Sequence, residues 1–168
     1  MTGTQVIFTL LAATIVTFSI LTVTSRRILR SSIFLLFVLV AMAGLFYMMD
    51  YQFLAAVQLI LYAGGIVVLI IFSILLTSQI NTRLDPPKMK NLIPGLVTGV
   101  IGIVLSAITF LAFAFRPSTA APVNTGMKTI GAQLLDTQVQ GYALPFEVIS
   151  ILLLAALVGA IFVAKKGR

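Results

Sequence analysis

The sequence predicts an all-α, polytopic membrane protein with five transmembrane helices, its N-terminus outside and its C-terminus inside. Three observations carry that expectation. Of the 168 residues, 60% are hydrophobic and only 9% are charged, where a soluble domain has roughly 25% charged residues. Too few polar side chains remain to cover a globule. The chain also contains several unbroken apolar runs of about 20 residues, the length a helix needs to cross a bilayer. Finally, the cations sit in short clusters between those runs, where orientation signals belong.

The first run, 4–24, is followed by Arg26, Arg27 and Arg30. A cleavable signal peptide carries its positive charge before the apolar core, so this order predicts a retained first helix. The second run is 31–49 and the third is 53–78. Between the third and the fourth, 92–115, lie Arg83, Lys88 and Lys90. The fifth run, 144–164, is followed by Lys165, Lys166 and Arg168. With five spans all three clusters fall on one side, and the other side keeps only Arg116 and Lys128. Positive residues mark the cytoplasmic side. A wrong span count would have mixed the clusters. Residues 1–168 are read as one membrane domain.

The connections differ in kind. "MMDYQF" reads as a tight turn, with Asp50 beside two aromatics at interface depth. Pro86 and Pro87 close the loop after the third span. The longest loop, 116–142, has an irregular first half. Its second half, "TIGAQLLDTQVQGY", places Ile130, Leu134 and Leu135 on roughly one face of a short surface helix. The absence of an internal repeat disfavours an inverted-repeat transporter.

Several functions are excluded by residue type. There is no Cys and no His. The chain therefore lacks the usual ligands for an iron–sulfur cluster, haem or zinc site. It also lacks Cys- and His-based catalytic dyads. No metal site and no catalytic residue are expected. The net charge of +7 is spread over short clusters without a basic face or motif, which argues against nucleic acid.

The chemistry of interest lies in "VQLILYAGGIVVLIIF", residues 57–72. Glutamine and paired glycines are costly inside an apolar helix, because a buried amide needs a partner and glycine loosens the backbone. On α-helical counting Gln58, Tyr62, Gly65, Leu69 and Phe72 share one stripe, polar at its start and apolar after. One reading is packing: Gln58 bonds to a neighbouring helix, and Gly64 and Gly65 allow close approach. The other is a mechanical weak point, where a π-bulge is tolerated.

The fifth span opens with "LPFEV". Pro145 suits a first helical turn. Glu147 then falls at about the third position, near the positive end of the helix dipole, and reads as a helix-start carboxylate. The competing reading is a residue on a proton or water path. Ala156, Ala160 and Ala164 recur every four residues, as do Gly95 and Gly99. Such spacing permits tight helix contact in lipid.

"FLAAVQLILYAGGIVVLIIFSILL" and "LPFEVISILLLAALVGAIFVAKK" together resemble the J-type membrane subunit of respiratory complex I, the proton-pumping NADH:quinone oxidoreductase. Its mitochondrial counterpart is subunit 6. The resemblance implies a subunit with no redox centre. NADH or another donor, FMN, iron–sulfur clusters and a quinone would be held by other subunits. The implied partners are quinone-site, small three-helix and antiporter-like subunits within a lipid bilayer, here a bacterial inner (plasma) membrane. It further implies a π-bulge at Leu61, Tyr62, Ala63, Gly64 and Gly65 that interconverts with an α form and opens a water path. Many bacterial members carry glutamate where this chain has Gln58, which can order water but holds no charge. A change of register would swing Leu69 and Phe72, which then serve as a dry plug in one state. Two rival readings stay open: a subunit of a related cation/proton antiporter or membrane hydrogenase, and a stand-alone small transporter or scaffold.

Overall fold

The computed structural model describes residues 3–77, 89–113, 125–138 and 141–166. Among these, five helices are long and apolar enough to span a membrane, as the composition predicts. They are α1 (Gly3–Thr24), α2 (Ile28–Met48), α3 (Gln52–Leu76), α4 (Met89–Ala112, membrane part Ile93–Ala112) and α6 (Ala143–Lys166). The short α5 (Met127–Leu135) precedes α6. Arg83, Lys88, Arg116 and Arg168, cations on which the expected orientation rests, lie outside the described residues, as do Pro86 and Pro87.

The chain divides into two compact units, Met1–Met49 with Leu54–Pro122, and Asp50–Phe53 with Val123–Arg168. In the first unit the packed body is α1, α2 and α3, with α2 touching both of the others. Lipid supplies no hydrophobic force between apolar helices, so close packing must do the work. The buried residues are accordingly small: Ser32, Ala41 and Ala43 on α2, and Ala55, Ala63 and Val67 on α3. Phe18 of α1 stacks on Phe37 at 4.9 Å between ring centroids and meets Phe34 at 5.9 Å. Gly44 lies against Leu11, whose Cδ2 would be 3.1 Å from an added Cβ. The described residues of α4 from Ile93 onward are all exposed.

Several hydroxyl groups within these spans are satisfied locally. Thr9, Thr14, Thr22 and Ser32 each donate to the carbonyl four residues earlier, at 2.7–3.0 Å. Thr98 and Thr109 of α4 do the same at 2.9 Å. A polar side chain that closes on its own helix can face lipid without an unpaired donor. Pro94 stands inside α4 and has no N–H to offer the preceding turn, a break that membrane helices accommodate.

Two chain reversals shape the termini of these helices. The α1–α2 corner is held by a hydrogen bond from the Ser31 hydroxyl to the Thr22 carbonyl. At the end of α2 the Met49 N–H reaches back to Leu45 and Phe46 at 3.1 and 3.2 Å. Asp50 comes next, in the left-handed region with φ 62°. That conformation ends helices and is ordinarily left to glycine, with Asn and Asp the usual exceptions.

The second unit is organised by the α5–α6 turn. Ile130 and Leu134 are half-buried, whereas Leu135 is exposed, so the apolar face predicted for this short helix is narrower than expected. The Tyr142 N–H donates to the Gln133 carbonyl at 3.0 Å, and the Ala143 N–H to the Asp136 carbonyl at 3.2 Å. The Asp136 side chain accepts from the Gln138 N–H at 3.0 Å. Gly141 is pressed into this turn so closely that a Cβ there would lie 1.9 Å from the Asp136 carbonyl oxygen. No other residue fits at that position.

Candidate functional site

The third helix is not uniform. Gln52–Val57 is α-helical, Gln58–Val67 is a π-helix and Val68–Leu76 is α-helical again. A π-helix closes i→i+5 hydrogen bonds, is rare, and occurs mostly as single-turn bulges inside α-helices, frequently at functional sites. All of Gln58, Leu61, Tyr62, Ala63, Gly64 and Gly65 lie inside it, and Leu69 and Phe72 stand in the next α-helical stretch.

The two glycines are not equivalent. Neither has a positive φ, so conformational freedom is not what glycine supplies here. Space is. A Cβ on Gly64 would sit 3.1 Å from the backbone oxygen of Leu59, five residues earlier; on Gly65 the corresponding contact, to Ile60, is 3.5 Å. The first is tighter than side chains normally tolerate, the second is ordinary van der Waals contact. The carbonyl that closes on Gly64 is that of the i→i+5 register itself, so the π form at this point favours a residue without a side chain.

The π segment also redistributes the faces of the helix. α-Helical counting groups Gln58, Tyr62, Gly65, Leu69 and Phe72 on one stripe, and that grouping does not carry through. Gln58 and Gly65 are half-buried, whereas Tyr62, Leu69 and Phe72 are exposed. The side chains that meet the helix bundle are Ala63, 4% exposed, and Val67, 1% exposed. The reason is geometric: a 3.6-residue period cannot be extended across turns closed by i→i+5 bonds. Beyond Val67, no residue of Val68–Leu76 is buried. The far part of α3 is therefore held to its own chain by weaker packing than the π segment is.

Chemically, the segment offers its backbone and two polar side chains. Its polar side chains are the Gln58 amide, both donor and acceptor without charge, and the Tyr62 phenol. Among the described residues no group of three or more His, Cys, Asp or Glu side chains comes together.

Glu147 belongs to the second compact unit. Helix α6 begins at Ala143, one residue before the run 144–164 read from the sequence, and its first turn contains no acidic residue. Glu147 is thus the fifth helical residue and not the third. The correction has a simple cause: the Phe146 N–H bonds to the Tyr142 carbonyl at 3.0 Å, which winds the helix before the proline. Pro145 still falls in the first turn, where its missing N–H leaves no bond unmade. The dipole's benefit fades beyond that turn.

The family of NADH-ubiquinone/plastoquinone oxidoreductase chain 6 matches residues 18–163, a span that contains the π-helix, both glycines and Glu147. The chain belongs to that family. Its relatives include NAD(P)H-quinone oxidoreductase chain 6 of Leptolyngbya boryana, 34% identical over 167 residues, covering 98% of this chain and 81% of the relative. F(420)H(2) dehydrogenase subunit J of Methanosarcina mazei is also 34% identical over 167 residues, covering 95% and 89%. The chloroplastic NAD(P)H-quinone oxidoreductase subunit 6 of Zygnema circumcarinatum is 33% identical over 153 residues, covering 84% and 81%. Five apolar helices and this membership together make the chain 6 homologue an integral membrane protein. The relatives' names carry NAD(P)H in one case and F(420)H(2) in the other, at the same level of identity.

Sequence reasoning did not find Asp50, Thr125 or Gly141 as structural keys. Asp50 takes a conformation normally signalled by glycine. Thr125 matters through a bond to a residue 75 positions away. Gly141 had a visible signal, a glycine just before a helix start, but nothing in the sequence names the carbonyl it packs against.

Proposed function

We propose that this chain 6 homologue is a membrane-arm subunit of a proton-translocating quinone oxidoreductase, and that it couples quinone reduction to proton movement through a change of register in α3. The observation that supports this most directly is the π-helix at Gln58–Val67, with Gly64 fitted to the Leu59 carbonyl. Conversion of the π segment to α form releases one residue of register and rotates the C-terminal part of α3 by about 100°. Leu69 and Phe72 then turn through that angle, closing a dry constriction in one state and clearing it in the other. Gln58 and Tyr62 supply polar atoms for water and for the carbonyl that the i→i+5 register leaves without its α-helical partner. The chain binds no redox group. FMN, iron–sulfur clusters and the quinone belong to other subunits, and the neighbours are quinone-site, three-helix and antiporter-like subunits. NADH is the electron donor in this reading. The N-terminus lies outside and the C-terminus inside a bacterial plasma membrane.

The test is the purified complex that contains this chain, reconstituted in vesicles. Quinone reduction accompanied by proton uptake is the expected result. A complex that exchanges cations or evolves hydrogen without reducing quinone would move the chain to the antiporter or hydrogenase assemblies. A stable homo-oligomer without other subunits would make it a free-standing transporter.

A further inference from the structure

The start of α3 is fastened to a distant part of the chain. The Thr125 hydroxyl donates to the Asp50 carbonyl oxygen at 3.1 Å, across 75 residues of sequence. Asp50 is the one non-glycine residue with positive φ among the described residues, so its carbonyl is aimed by a backbone conformation that most side chains resist. Asp50, Gln52 and Phe53 line a common cleft with Thr125, Gly126 and Met127. These residues form part of one compact unit, Asp50–Phe53 with Val123–Arg168, whereas Leu54 onward belongs to the other. At the opposite end, Val68–Leu76 has no buried residue, and Leu69, Phe72 and Leu76 are 68%, 61% and 78% exposed.

We infer that Asp50 and Thr125 form a clamp that fixes the Gln52 end of α3, so that any change in the π segment is expressed as rotation of the Leu76 end. The inference rests on the register reading proposed above. A helix free at both ends would share a register change between its halves, and neither would turn by the full angle. Anchoring one end directs the whole rotation to the other. Thr125 acts here as a positioning residue: it touches no substrate and holds the backbone of Asp50. Asp50 contributes its conformation, and its carboxylate is not required by the clamp.

The experiment uses the assembled complex with Thr125→Val, which removes the donor at nearly constant volume, and Thr125→Ser, which keeps it. Backbone hydrogen exchange is read at 52–57 and at 68–76, beside quinone reduction and protons moved per electron. Thr125→Val should speed exchange at 52–57 by about three- to tenfold, the size of one net hydrogen bond. It should leave quinone reduction in place while lowering protons per electron, and Thr125→Ser should restore both values. Asp50→Gly, which adopts the same φ freely, should resemble the parent. Unchanged exchange in Thr125→Val overturns the clamp. So does faster exchange with an unchanged proton ratio, because the anchor would then have no part in coupling. Failure of the register reading itself is seen elsewhere, as a Gly64→Ala complex that couples like the parent.

Discussion

Replacing Gly64 and Gly65 one at a time by alanine separates a register switch from simple close packing. Each change adds one methyl group. Alanine favours a helical backbone over glycine by about 0.8–1 kcal/mol, but that gain applies to the α and π forms alike and cancels in their difference. The remaining effect is steric and acts only in the π form. At Gly64 the new Cβ meets the Leu59 carbonyl oxygen at 3.1 Å; at Gly65 the nearest contact, the Ile60 oxygen, is 3.5 Å away. Relieving the first contact by a few tenths of an ångström requires bending the backbone. About 7° in a bond angle or 12° in ω corresponds to roughly 1 kcal/mol. Gly64→Ala should therefore move the π–α balance towards α by roughly fivefold, since about 1.36 kcal/mol is tenfold. Gly65→Ala should leave it nearly unchanged. Packing predicts the reverse order, because Gly64 is exposed and Gly65 half-buried. The assay is the assembled complex in vesicles: complex abundance, quinone reduction and protons moved per electron. We expect Gly64→Ala to assemble at parental abundance and to lose coupled turnover, with Gly65→Ala close to the parent. If Gly65→Ala is the more damaging, or if both variants pump like the parent, the switch reasoning fails and close packing is the better account.

The same geometry sets other outcomes. Gly141→Ala places a Cβ 1.9 Å from the Asp136 oxygen, so the α5–α6 turn cannot close; we expect a loss of stability above about 4 kcal/mol, read as near absence of assembled complex in membranes. Because the chain has no cysteine, single cysteines at Arg26 and Lys128 can be labelled with impermeant reagent, and should label from opposite sides; labelling from one side would overturn the proposed topology. Glu147→Gln should assemble and pump nearly as the parent does, because Glu147 lies beyond the first turn of α6. Vesicles that oxidise donor but build no gradient would instead place this carboxylate on the proton path.

How far the sequence alone could be read depended on the physical scale of each feature. The five spans were legible because bilayer thickness sets a length that an apolar run either meets or does not. The segment around Gly64 drew notice because glutamine and paired glycines are costly in lipid, but composition left packing and a backbone irregularity as rival readings, and only the structure shows the π-helix. The family could be read from two motifs in order. The facing of α3 was another matter. A soluble helix announces its buried side by alternating apolar and polar residues, whereas a membrane helix is apolar all round, so its sequence does not say which face meets a neighbour. Ala63 and Val67 are buried because α2 packs there and because the π register shifts the turns, and a 3.6-residue count applied to the sequence gives a different face. The same holds for Gly64 against Gly65: as letters they are identical, and only the position of a backbone oxygen five residues away distinguishes them. Asp50 and Thr125 meet across 75 residues. Local chemistry specifies a helix and its length, while contacts between distant segments exist only once the chain has packed.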